Sequence, residues 1–169
     1  MALKTNAVRR SGCPLSIALD IFGDRWSLLI VRDMMVRGYR TFREFQRSGE
    51  GIATNILTDR LQRLEAAGLV EREQAAQDGR SAYYHLTAKG IALAPVLLEM
   101  LIWSARHEQT EAPCAVIDQM EHNRAAVLAE TYRRWAEHDP TPILPPFRPA
   151  ADRKRGQPKV TPKKGRAKP

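Results

Sequence analysis

The chain has 169 residues, 43% of them apolar and 27% charged, with a formal charge of +8 from 27 basic and 19 acidic side chains. Those values sit within the range of one soluble globular domain and exclude a collagen, a wholly disordered chain and a disulfide scaffold. The longest apolar runs, such as Leu28-Leu29-Ile30-Val31, fall far short of the roughly 18 residues of a membrane span, and nothing reads as a secretory signal, so a cytoplasmic protein with no membrane partner is expected.

The first helix is announced by Ser11-Gly12-Cys13-Pro14. Pro14 suits the first helical position, where its missing N–H costs nothing, which puts Cys13 at the cap. Leu15, Ala18, Leu19 and Phe22 follow at i, i+3, i+4, i+7 and form one apolar face; Gly23 ends the helix. A second helix is expected over 24–36, burying Trp26, Leu29, Ile30 and Met34, and Gly38 closes it. Thr41 with Glu44 three residues later is a capping box, opening a short third helix that buries Phe42 and Phe45. After the turn at Ser48-Gly49-Glu50-Gly51, a fourth helix should span 54–67, with Leu57, Leu61 and Leu64 as the buried stripe and Gly68 as its stop.

The periodicity then changes from helical to alternating. Residues 69–74 and 81–86 read as two strands, with Ala82, Tyr84 and Leu86 inward and Asp78-Gly79 as the hairpin turn between them. Thr87 can cap a long apolar helix over 88–107, which Pro95 should kink or break. Its Leu93, Val96, Leu97, Met100, Leu101 and Trp103 make a face more apolar than one small domain needs, best explained by the same helix of a second subunit. Pro113 marks the next boundary, and a single amphipathic helix is expected over 116–138, carrying Ile117, Met120, Val127, Leu128 and Trp135.

From Pro140 onward stand 8 of the 11 prolines, and residues 141–169 hold nine basic side chains against one acidic. Such a segment cannot bury enough apolar surface to offset its ordering entropy and is expected to be disordered. The body before it is neutral, but residues 1–68 carry +4 and the remainder −4. A uniformly basic nucleic-acid coat is therefore excluded, while a basic patch and a basic tail remain. The division expected is an N-terminal arm (1–12), a DNA-binding and dimerisation domain (13–111), an additional helix (112–139) and the basic tail (140–169).

Three short helices, a hairpin and a long helix make a mainly α chain with a small β wing, the order of a winged helix-turn-helix. With Leu57, Leu61 and Leu64 turned to the core, a 100° helical wheel puts Asn55, Asp59 and Gln62 opposite them, with Thr58 and Arg63 flanking; Thr54, at the start of the helix, is a further candidate reading residue. Asn and Gln can pair with adenine, Arg with guanine, and Thr with a thymine methyl or a phosphate. Asp59 repels phosphate; it can accept from a cytosine amino group or hold Arg60 or Arg63 in position. Arg40, Arg43 and Arg47 could clamp the backbone, setting register without reading sequence, and Arg80 at the wing tip suits the minor groove or a phosphate. The bland alternative for this helix is an ordinary solvated face, in which case the chain is a protein-docking module with only its tail on DNA.

Cys13-Pro14, Gly23-Asp24-Arg25-Trp26, Leu57-Thr58-Asp59-Arg60-Leu61, Leu64-Glu65, Gly68-Leu69-Val70 and Tyr84-His85-Leu86-Thr87 through Gly90 occur in order with short gaps and resemble the HxlR-type winged-helix regulators. The resemblance covers about residues 13–103. It implies a non-enzymatic bacterial regulator, a homodimer on a pseudo-palindromic double-stranded site, with dimer contacts from the first and long helices: Leu15, Leu19, Leu97, Met100, Leu101 and Trp103. Where family reading helices often begin with a small hydroxyl residue this one has Ala53, and Thr54 is expected to substitute for it. Some family members sense electrophiles or oxidants at the position matching Cys13. A thiol at a helix N-terminus beside Arg9 and Arg10 is placed for thiolate reactivity, against the alternative of a small packing residue; a redox or small-molecule effector is thus a candidate partner. The tail, with Arg153-Lys154-Arg155-Gly156 and Lys163-Lys164-Gly165-Arg166, loosely resembles AT-hook segments but lacks their full core, which favours a plain electrostatic tether.

Cys13 and Cys114 form no framework, and no CxxC or CxxH spacing suggests zinc. No cofactor is implied. A metal- or thiol-dependent enzyme would require His107, Cys114 and His122 to converge.

Overall fold

The computed structural model describes residues 11–74 and 82–142. The first helix, α1 (Pro14–Phe22), starts as expected, with Cys13 extended at its cap and its carbonyl accepting from Ile17 N at 3.0 Å. The second, α2 (Ser27–Val36), begins three residues later than the apolar pattern suggests. Asp24 is the reason. Its carboxylate accepts from the backbone N–H groups of Trp26 (2.8 Å) and Ser27 (3.1 Å) and from the Ser27 hydroxyl, so it closes a turn, the arrangement a short carboxylate prefers ahead of a helix. Burial raises this carboxyl, but those hydrogen bonds more than reverse that and hold it below its ordinary value.

The capping box forms at α3 (Phe42–Gln46): Thr41 Oγ1 accepts from Glu44 N, and Glu44 Oε2 accepts from Thr41 N at 2.8 Å. Next come α4 (Thr54–Ala66), with Leu57, Leu61 and Leu64 buried, and Gly68 just past its end at φ +69°, a conformation that glycine adopts without penalty. Strands β1 (Val70–Gln74) and β2 (Ala82–Leu86) pair antiparallel, from Val70 opposite Leu86 to Gln74 opposite Ala82. An isolated bridge from Thr41 to Tyr83 ties α3 to this hairpin. Phe45, Leu57, Leu64, Val31 and Val70 are the fully buried centre of the core. The wing turn, with Arg80, lies outside the described residues, as do the N-terminal arm and the segment after Pro142.

Pro95 breaks the long helix. α5 (Ala88–Ile91) is capped by Thr87 Oγ1, which accepts from Gly90 N at 3.0 Å, and α6 (Ala94–His107) restarts with Pro95 in its first turn. The stretch Ala88–His107 is long and apolar enough to cross a membrane by length and composition, yet Ile91, Ala94, Leu97, Leu98 and Ile102 are buried inside this chain.

Beyond α6 the expected single helix is two: α7 (Cys114–His122) and α8 (Arg124–Ala136), divided at Asn123 with φ −121° and ψ 37°. The break lets the two faces bury in different places. Ile117 and Met120 join Leu98 and Ile102 in a second small core, while Trp135 packs on the main one. Arg124 binds Glu99 at 2.6 Å and also the Glu121 carbonyl left without a helical partner at the break.

Candidate nucleic-acid interface

On α4 the three leucines are buried, and Thr54, Asn55, Thr58, Gln62 and Arg63 are exposed. The wheel derived from the sequence is the wheel in the structure. Two details refine it. Thr58 Oγ1 donates to the Thr54 carbonyl at 2.9 Å, which fixes its rotamer and turns its methyl outward from that bond. Asp59, half-buried, lies 2.8 Å from Arg60 Nη1 and 3.0 Å from Arg63 Nε. It therefore holds both arginines. Arg60 in turn lies 3.0 Å from Asp24, so the turn before α2 is ion-paired to the middle of α4. No side chain caps α4: Ala53 makes no such bond, and Thr54, already the first helical residue, does not replace it. Its first-turn N–H groups carry the positive end of the helix dipole.

The three arginines expected at the DNA backbone differ. Arg43 on α3 and Arg47 at its C-terminal cap are exposed. Arg40 is half-buried, and its Nη2 donates to the His138 carbonyl beyond α8 at 2.6 Å; this guanidinium is committed to an internal contact that no local pattern foreshadowed. His85 on β2 is held neutral more strongly than an ordinary imidazole, first by burial and then by Arg40, against the pull of Glu73 at 3.6 Å.

A buried charged cluster escaped the sequence reading. Arg32 donates to Asp33 at 2.7 Å and to Glu50 at 3.0 Å, and Arg37 lies 3.1 Å from Asp33 and donates to the Ser48 carbonyl at 2.8 Å. Burial pushes the Asp33 carboxyl up against the pull of Arg32 and Arg37. The cluster fastens the turn before α4 to α2. The i, i+4 spacing of Asp33 and Arg37 was the signal available for it.

The apolar residues assigned to a partner subunit divide. Leu97 is only 8% exposed and belongs to the main core, a correction caused by α6 rotating that position toward α2; Leu101 is half-buried. Leu15 (68% exposed) and Leu19 (55%) on α1, and Met100 (50%), Trp103 (59%) and Val96 on α6, remain exposed. Cys13, an exposed free thiol, caps α1 just before Pro14. Among the described residues no three His, Cys, Asp or Glu side chains group so as to hold a metal ion; His107 stacks near Trp103, its ring 5.3 Å away, and His122 Nδ1 is 2.7 Å from the Asp118 carbonyl.

A family model described as HxlR-like helix-turn-helix matches residues 21–112. YdeP of Bacillus subtilis, an HTH-type transcriptional regulator, is 32% identical over 115 residues, covering 68% of this chain and 84% of YdeP. YybR of the same organism, also an HTH-type transcriptional regulator, is 36% identical over 94 residues, 56% of this chain and 74% of YybR. Among solved structures, PA1607, described as a candidate transcription factor, matches with a TM-score of 0.56 at 38% identity, over 62% of this chain and 72% of its own. The oxidized form of the redox regulator HypR matches with a TM-score of 0.53 at 32% identity, over 58% of this chain and 100% of its own.

Proposed function

The chain belongs to the HxlR-like helix-turn-helix family, and from that premise we propose that it regulates transcription as a homodimer bound to a pseudo-palindromic operator, each subunit laying α4 in a major groove. The outward side of α4 carries this reading: Asn55 and Gln62 stand exposed above three buried leucines, with Arg63 oriented by Asp59. Asn and Gln suit adenine, and a positioned Arg suits guanine. Arg43 and Arg47 supply phosphate contacts, and Arg80 would reach the minor groove. The exposed Leu15, Leu19, Met100 and Trp103 are the surface for the second subunit, whose two-fold axis would space the half-sites by about one helical turn. No catalytic role is assigned to any residue.

The test is binding to a duplex selected from a random pool. Asn55→Ala with Gln62→Ala is expected to abolish preference for the selected sequence while leaving non-specific binding in place. Unchanged preference would make the chain a protein-docking module instead. Trp103→Glu is expected to give monomers in light scattering; an unaltered dimer would move the interface elsewhere.

Redox control is the second part of the proposal. It rests on the exposed thiol of Cys13 at the start of α1, beside the surface assigned to the partner subunit, and on similarity to the redox regulator HypR. A disulfide or adduct there would reset the pairing of the two subunits. Diamide or a quinone should then release DNA from the native protein and not from Cys13→Ser; equal release from both removes the sensor.

A further inference from the structure

Four charged side chains, Asp24, Arg60, Asp59 and Arg63, run in alternating sign from the turn before α2 to the outward side of α4. The row starts from a fixed point. Asp24 is held by the backbone N–H groups of Trp26 and Ser27 and by the Ser27 hydroxyl, and Ser27 is fully buried. Arg60 Nε lies 3.0 Å from Asp24 Oδ1, and Arg60 Nη1 lies 2.8 Å from Asp59 Oδ2. The same Asp59 oxygen lies 3.0 Å from Nε of exposed Arg63.

The first link differs in kind from the others. Asp24 Oδ1 already accepts from two backbone N–H groups, and the buried Arg60 Nε beside it makes no aligned hydrogen bond. Its hold on Arg60 is therefore one of charge. Burial raises the Asp24 carboxyl, yet its hydrogen bonds leave it below the ordinary value, so it stays ionised at neutral pH. An amide at this position keeps the turn, because Asn serves ahead of a helix as well as Asp does, and loses only the attraction.

At the outer end, one oxygen of Asp59 serves both arginines. Arg60, anchored from within, keeps that carboxylate against the helix, and Asp59 keeps Nε of Arg63 occupied. The part of the Arg63 fork left to face a duplex is the edge carrying Nη1 and Nη2, whose spacing matches N7 and O6 of guanine. An Arg63 without this support would lose its rotamer freedom only on meeting the base, which weakens the contact.

We propose that Asp24 is a positioning residue for base reading, acting through Arg60 and Asp59 to hold Arg63 end-on to a guanine in each half-site. Asp24 itself touches no base. The proposal rests on the operator reading above and names a residue outside α4 on which its base preference depends. A residue that only supported the fold, or only met phosphate as Arg43 and Arg47 do in that reading, would weaken binding alike on every sequence.

The selected duplex and its single-base-pair substitutions across one half-site are titrated with the native protein, Asp24→Asn, Arg63→Gln and the double variant. Arg63→Gln should lose about five- to hundredfold discrimination at one guanine position. Asp24→Asn should lose about threefold or more at that position alone, with its affinity for a scrambled duplex unchanged. The double variant should discriminate no worse than Arg63→Gln, since the effect of Asp24 passes through Arg63. Additive losses in the double variant overturn the proposal, as does an unchanged profile for Asp24→Asn. An equal loss at every base pair also overturns it and makes the turn a support of the fold. Arg60→Lys is the second variant and closes the same cycle with Arg63→Gln if Asp24→Asn is too unstable to titrate. It keeps the positive charge but lacks the fork that spans two carboxylates, so the same confined loss is expected; a native profile overturns the route through Arg60. Absence of any preference in the native protein sinks the operator reading, whereas preference that Arg63→Gln leaves intact sinks only the role given to Asp24.

Discussion

Helices α4 and α8 are both thirteen residues long, and they are built on opposite logic. α4 buries one clean stripe, Leu57, Leu61 and Leu64, in the main core and presents a continuous polar side. α8 has no fully buried residue; Val127 and Leu128 pack only partly buried on the second core, and its ends are tied by Arg124 to Glu99 and by Trp135 to the Leu86 carbonyl. A helix with a deep stripe fixes its own rotation, so its outward residues are presented in a defined order, which is what reading a groove requires. A helix held by shallow packing and tied ends is set in place by its neighbours and not by a deep stripe of its own. The family match stops at residue 112, so α4 lies inside the matched region and α8 outside it.

Hollowing out the two cores separately has the largest expected effects. Leu64→Ala removes a fully buried side chain at the centre of the main core and should lower stability by about 2–5 kcal/mol, taking DNA binding with it. Ile117→Ala strikes the second core, a cluster of only four buried residues, and should fall at the lower end of that range. Denaturant titration measures both. If the halves are as separable as their cores, Ile117→Ala retains sequence preference at temperatures where its α7–α8 signal has melted, seen by hydrogen exchange. Simultaneous loss of protection in α4 and α8 would show that they form one cooperative unit.

The same contrast explains what was legible in the sequence. The capping box at Thr41 and Glu44, the cap before Pro14, the stop at Gly68 and the leucine stripe are local patterns, set within about one or two helical turns, and the structure has each of them. One departure was local: Asp24 delays α2 because its carboxylate accepts from Trp26 and Ser27, a capping turn that apolar periodicity does not register. The others came from contacts distant in the chain. Asn123 divides a continuous amphipathic pattern because Ile117 and Trp135 have different cores to fill. Leu97 faces inward because α6 packs on α2, and Arg40 turns from the surface to the His138 carbonyl 98 residues away. A window along one chain sees periodicity; it does not see which of two apolar faces finds a partner.

A smaller effect is expected at the start of α3, where the Arg40 contact to the His138 carbonyl, the bridge to Tyr83 and the capping box lie within two residues. Thr41→Ala removes the cap and should cost about 1 kcal/mol. Thermal unfolding measures it, and an unchanged midpoint would mean that the bridge to Tyr83 alone holds the start of α3.

The smallest expected effect is the proton dependence of the same box. Burial raises the Glu44 carboxyl, but backbone hydrogen bonds from Arg40 and Thr41 and the Thr41 hydroxyl lower it further, to below its ordinary 4.5. The folded state therefore binds fewer protons than the unfolded state just below pH 4.5, and its stability falls with pH there. Glu44 contributes its full share above that value and loses it as pH drops through the lower folded value. Glu44→Gln should accordingly be less stable than the native protein at neutral pH and converge on it toward pH 3, and because the side chain is largely in solvent the gap should be modest and shrink with salt. His85 adds a separate slope at higher pH, since its folded value lies below 6.5, and it cancels in the difference between the two proteins. A difference curve flat across the acid range would mean that the box is held by the Thr41 hydroxyl and that the carboxylate is incidental to it.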